Sequence, residues 1–237
     1  MGKLLHAEWY TRFHDKIFWI FSAVIVLFNA LVFSGSTVIH LTGCSALAES
    51  MKKEIATVII ACIYGGISLG GDFADRTLYH GLMTGKNRSS VILAKAAVFA
   101  AAMNFLLFLF PFLFVFVCSV KNGWGAAVSA GYLLHAAGVV LSLLVLGFAV
   151  SAASLLAAVC FRDVGRTIGI PVVLCFVMIL LLNSAYAPAF ARILPIGAFI
   201  LVTDGTVSPA DGMLLGAAWS MLLFTVSALV FRRAELR

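Results

Sequence analysis

Six long apolar runs divide the chain, at about Ile17–Ile39, Ile55–Gly71, Val91–Val120, Ala126–Phe161, Ile168–Ala187 and Met213–Phe231. None alternates with period two. Asp, Glu, Lys and Arg are nearly absent inside them, Lys95 being the exception. Spanning the hydrocarbon core takes ~20 apolar residues per helix, and inside lipid only helices or closed barrels satisfy the backbone. Continuous runs select helices over a barrel. The pattern predicts an all-α membrane protein: six transmembrane helices in one domain over residues 1–237. The third and fourth runs exceed the ~20-residue need, so they tilt, kink or project into water. Pro111 lies within the third and predicts a kink, because it lacks an N–H and crowds the preceding turn. In the second run, Ala61, Gly65, Gly66 and Gly70 bring small residues to four-residue spacing, a pattern that lets helices approach closely.

The first sixteen residues predict a different kind of helix. Leu5, Trp9, Tyr10, Phe13 and Ile17 share one arc, interrupted by His6 and Lys16, while Glu8, Thr11, Arg12 and Asp15 lie opposite. That is the pattern of an interfacial amphipathic helix, with Trp9 and Tyr10 suited to headgroup depth. A cleavable leader is the competing reading. Leu41-Thr42-Gly43-Cys44 has the form of a lipoprotein processing site, and Ala46-Leu47-Ala48 has the small-x-small form. Against it, the first apolar run is far longer than the ~7–15 residues of a leader core.

Composition sharpens the class. Hydrophobic residues make up 63% of the chain, charged residues 11%, and the mean hydropathy is +1.11. Six spans with a cytoplasmic N-terminus place twelve Lys and Arg inside and four outside. The outer four are Lys52, Lys53, Lys121 and Arg192. This positive-inside bias accounts for the formal charge of +6, since the outer acids Glu49, Glu54, Asp204 and Asp211 balance the outer cations. Nucleic acid is not needed to explain the charge. Both termini are expected on the cytoplasmic side of a bacterial cell membrane.

One polar island stands out, Asp72–Lys95, with two acids, four basic residues, a histidine and two glycines. Topology makes it cytoplasmic. Gly81 to Asn87 superficially resembles a phosphate-binding loop, but the spacing is one residue short, Asn87 replaces Ser or Thr, and no strand precedes it. No ATPase is therefore expected in this chain. Enzyme chemistry finds no support either. No acid pair sits within a span, and neither His-x-x-x-His nor Cys-x-x-Cys occurs. His135 reads as packing near an interface, and no metal site is expected. Cys44, Cys62, Cys118, Cys160 and Cys175 are an odd, irregularly spaced set, best read as small hydrophobes. Asn29, Asn104 and Asn183-Ser184 are the polar residues within spans and read as interhelical hydrogen-bonding groups. A proton- or ion-coupled carrier would place ionisable groups at mid-membrane depth, and a pore would want polar lining. Energy is then expected from another subunit.

An amphipathic N-terminal helix and two spans precede Asp72-Phe73, Thr77-Leu78, Leu82-Met83-Thr84-Gly85, Arg88 and then Lys95 opening the third span. In this order of elements the chain resembles the ABC-2 type permeases of ABC exporters. Arg76 stands where family members often carry glycine. Leu194-Pro195-Ile196-Gly197 is similar to the family's short outer re-entrant segment, and the ending from Phe231 also fits. The resemblance implies a cytoplasmic coupling helix within residues 72–90, an extracellular segment at 188–212, and a second permease subunit, identical or homologous. It further implies two copies of a cytoplasmic ATPase subunit that hold the ATP and Mg; this chain itself would need no cofactor. Phe73, Leu78, Leu82 and Met83 would supply the apolar part of the docking surface. Asp72, Asp75, Arg76, Thr77, Lys86 and Arg88 would supply its polar contacts. The turn Phe161–Thr167 is a second, weaker contact candidate, equally well read as topology-setting charge.

Cargo is read from the third span. Phe108, Phe112 and Phe116 fall on one face at i, i+4 and i+8, with Asn104 one turn earlier. They form a candidate path for a hydrophobic or amphipathic cargo, or else face membrane lipid. By size and element order, the resemblance extends to compact permeases of bacteriocin-immunity and peptide-export systems, so a hydrophobic peptide is the first expectation and a lipid or small drug the alternative. A stand-alone carrier or channel is the reading from another class.

Overall fold

The structure, a computed structural model, describes residues 2–34, 41–52, 55–74, 88–125, 129–184 and 187–233. Among them are helices and no strand. They are α1 (Gly2–His14), α2 (Lys16–Val32), α3 (Gly43–Lys52), α4 (Ile55–Ala74) and α5 (Arg88–Asn122), followed by α6 (Ala130–Phe161), α7 (Val164–Leu182), α8 (Ala187–Ile193), α9 (Pro195–Thr203) and α10 (Pro209–Arg233). Five are long and apolar enough to cross a membrane: α4, α5, α6, α7 and α10. The pair α1–α2, bent by 56° at its break, makes a sixth if counted as one span. The molecule is thus an all-α protein with the build of a multi-pass membrane protein.

Element ends follow local chemistry. Asp15 interrupts the first helical stretch: its backbone is extended and its side chain accepts from the Ile17 N–H at 3.0 Å, capping α2. Asp163 does the same for α7, accepting from the Arg166 N–H at 2.9 Å. Just before it, Arg162 closes α6 with a φ of 51°, a left-handed conformation that glycine usually takes. The expected second inner turn is therefore only two residues long, Arg162 and Asp163. Leu41–Ala48 runs into α3. The N–H groups of Gly43 and Cys44 donate to the carbonyls of Gly123 and Trp124 at 3.0 and 3.1 Å, tying this segment to the end of α5.

Packing rests on glycine. A Cβ on Gly66 would come within 2.6 Å of the Ile168 Cα, and one on Gly70 within 2.8 Å of the Val164 Cα, so the α4 and α7 backbones touch. The small-residue spacing of the second run thus meets a partner, the start of α7. Gly216 plays the same part between α10 and α6, where a Cβ would lie 2.9 Å from the Leu146 N. These contacts set the bundle's polarity. The ends of α4, α6 and α10 gather with the starts of α5 and α7 and with α1 at one end. At the other end lie α3, α8 and α9. The nine-residue α9 is about 14 Å long, too short to span hydrocarbon, yet Pro195, Ile196, Ala198 and Phe199 are buried.

Sign distinguishes close packing from helix propensity. Gly66→Ala is expected to destabilise by about 1–3 kcal/mol through overpacking. Gly71→Ala, where nothing lies within 4 Å, should be neutral or gain up to about 1 kcal/mol. Thermal unfolding in detergent checks both.

Candidate functional site

Charges that the apolar runs exclude converge at the end of α4 and the first turns of α5. Asp72 sits in the last turn of α4, Lys95 two turns into α5, and Glu8 and Arg12 are one turn apart on α1. A single oxygen, Asp72 Oδ2, accepts from Arg12 Nη2 at 2.9 Å and from Lys95 Nζ at 2.8 Å. Lys95 Nζ also pairs with Glu8 Oε2 at 3.2 Å. Arg12 reaches one turn up α4 to the hydroxyl oxygen of Ser68. The side chains of Arg12 and Lys95 are only 8% and 7% exposed, and that of Asp72 20%. Among the described residues the group holds two cations and two anions, so each buried charge sits against an opposite one.

This arrangement revises the expected role of α1. Trp9 and Tyr10 are exposed as the interfacial reading requires. Half of the polar face opposite them turns inward: Arg12 is buried, and Glu8 and Arg12 bind the protein, while Thr11 stays exposed. Their i, i+4 spacing was the available signal, and what it lacked was a partner, because Asp72 is 60 residues away. Lys95, the one charge inside an apolar run, is explained by the same cluster.

Of the expected docking residues, the structure describes few. Asp75, Arg76, Thr77, Leu78, Leu82, Met83 and Lys86 lie outside the described residues. Arg88 opens α5. Asp72 belongs to the ion cluster, and Phe73 turns its ring to Phe231 of α10, with centroids 6.4 Å apart in an edge-to-face arrangement. Phe73 is therefore at least partly spent on internal packing, and its apolar character alone could not reveal this.

The candidate cargo residues separate into two groups. Asn104, Phe108 and Phe112 line a lateral groove of about 640 Å³ together with Trp9, Phe13, Phe105 and Leu144. Phe116 lies beyond it, exposed on the surface of α5. Asn104 is buried; its Nδ2 donates to the Ala100 carbonyl at 2.9 Å, and its Oδ1 abuts Gly147 of α6, where a Cβ would collide with it. That oxygen has no hydrogen-bond partner among the described residues. Asn29 acts as expected between helices, its Nδ2 donating to Thr57 Oγ1 at 2.9 Å. Asn183 and Ser184 donate to the carbonyls of Ile179 and Leu181 at their own helix end. Of the cysteines, Cys62 and Cys175 meet at 3.9 Å between α4 and α7 as free thiols. Among the described residues no three His, Cys, Asp or Glu side chains gather as a metal site would require.

No family model and no curated protein matches the chain.

Asp72→Asn should leave the buried Arg12 guanidinium without a counter-charge among the described residues, while Lys95 keeps Glu8. We expect a loss of about 3 kcal/mol, the low end for breaking a buried pair because Asp72 retains some solvent contact. Lys95→Met should cost less, since Arg12 still neutralises Asp72. Unfolding of both variants in detergent should reproduce that order.

Proposed function

We propose that this chain is the membrane-embedded permease subunit of an ATP-driven exporter of the ABC-2 type, powered by a separate cytoplasmic ATPase. The ion cluster is the observation that carries this reading. Asp72 stands in the last turn of α4 and Lys95 two turns into α5, on the two helices that flank the polar segment. Arg12 and Glu8 bind both of those helices to α1. A force applied to the segment by a docked ATPase is therefore delivered to three helices at once. Such a linkage suits a subunit that receives work and performs no chemistry. Further support comes from the element order, with an N-terminal helix outside the span and a short buried helix, α9, in the segment between the last two spans. On this reading α9 is the outer re-entrant element, residues 75–87 carry the coupling helix, and two permease subunits pair.

The cargo is hydrophobic or amphipathic. The groove beside Asn104, Phe108 and Phe112 is almost wholly apolar and open sideways, which suits a molecule arriving from the bilayer. A hydrophobic peptide remains the first choice. The sideways opening equally supports a lipid or small hydrophobic drug.

The test is co-purification with a cytoplasmic ATPase subunit, sought first in the neighbouring reading frames. Arg76→Glu combined with Arg88→Glu, and separately Leu78→Ala, should abolish association and ATPase stimulation while the permease still folds. Unchanged association and stimulation in both variants would sink the proposal. Phe73→Ala is a poor probe because its packing on Phe231 confounds docking with stability. With the complex in hand, a panel of hydrophobic peptides should raise ATP turnover, and silence across the panel would exclude the peptide cargo.

A further inference from the structure

At the end of the bundle opposite the ion cluster lies a second polar feature. A cavity of about 360 Å³ opens between α8, α9 and the start of α10, within the ~300–1,000 Å³ of small-ligand sites. Arg192 and Asp211 both line it, one at the end of α8 and one in the first turn of α10. They carry opposite charges, yet they do not pair with each other. Arg192 makes no hydrogen bond or ion pair with any described residue. Asp211 accepts from the Ser208 hydroxyl through Oδ2 at 2.8 Å, and its other carboxylate oxygen has no described partner. The rest of the wall is largely apolar, including Leu201, Val207 and Leu215.

The neighbours fix the depth of this cavity. Ile193, next to Arg192, is 56% exposed, and Leu214, three residues from Asp211, is 70% exposed. Apolar side chains presented that openly on a protein of this class face lipid. The two charges therefore stand where hydrocarbon gives way to headgroups. Charged groups persist at such depth by reaching polar partners.

We propose that this cavity holds the headgroup of an aminophospholipid. Its phosphate would lie on the Arg192 guanidinium, whose planar fork suits phosphate oxygens. Its primary ammonium would donate to the free oxygen of Asp211, and the glycerol end would rest on Leu201 and Leu215. The pairing requires both charges in one ligand. Phosphatidylglycerol lacks the cation, and phosphatidylcholine has a cation with no N–H to donate. The argument stands apart from the transport reading, since it uses neither the ion cluster nor an ATPase.

Native mass spectrometry of the purified chain, in micelles carrying equimolar phosphatidylethanolamine, phosphatidylcholine and phosphatidylglycerol, provides the test. The wild type should retain phosphatidylethanolamine on the order of tenfold over the other two, as expected for one charge-assisted contact. Arg192→Gln and Asp211→Asn should each erase that preference. Asn at 211 keeps a side-chain oxygen for Ser208, so the start of α10 is preserved and folding is not the variable. Equal retention of the three lipids by the wild type would overturn the site, and so would a preference that survives both substitutions. Full displacement by millimolar O-phosphoethanolamine, which has the headgroup without chains, would also overturn the lipid assignment and point to a free zwitterion.

Discussion

One carboxylate oxygen organises this molecule. Asp72 Oδ2 accepts from cations on two other helices, α1 and α5, and joins two cations and two anions among the described residues. In an apolar bundle a lone Asp72, Arg12 or Lys95 would be costly to bury, and removing Asp72 leaves Arg12 exposed to that cost. Mutual dependence of this kind holds α1 in place more firmly than apolar contact could. Lipid competes for apolar side chains, but it offers nothing to a buried guanidinium. The helix that would otherwise float at the interface becomes part of the bundle.

The remainder of the fold uses a different physical device. Within lipid, helices gain little by hiding apolar surface from one another, so close approach must come from small residues and shape. Gly66 and Gly70 bring α4 onto α7, and Gly216 brings α10 onto α6. On α5, which has no glycine, a lateral groove opens beside Phe108 and Phe112. At the far end, α8 and α9 fold over without spanning, and they leave the notch between Arg192 and Asp211.

Much of this was legible along the chain, and the omissions have identifiable causes. Helix type and five of the six expected spans follow from uninterrupted apolar runs, since a bilayer imposes length directly; the first run makes a sixth only when α1 and α2 count as one bent span. Run boundaries shifted where caps intervened: Asp163 starts α7 at Val164, four residues ahead of the apolar run. The helix α3 was hidden because Gly43–Lys52 is polar enough to read as loop, and its anchors at Gly123 and Trp124 are distant in sequence. The four-charge group was visible only as separate oddities, a polar stripe on α1 and a lysine inside a span, because periodicity reports faces and never partners. Phe116 shared a helical face with Phe108 and Phe112 but lies past the end of the groove, since a shared face says nothing about how far a neighbouring helix extends.

The one-residue break at Asp15 has a mechanical consequence. The 13 residues of α1 form an arm about 20 Å long, hinged where Asp15 caps α2. Arg12 stands only three residues from that hinge, about 4.5 Å along the arm. A swing of roughly 10° carries the far tip some ~3 Å yet shifts Arg12 by less than ~1 Å. Glu8, seven residues from the hinge, would travel about 2 Å in the same swing and strain its pairing with Lys95. Leverage, set by where in α1 the two charged residues fall, makes Glu8 the contact that registers a tilt of the arm and Arg12 the one that outlasts it.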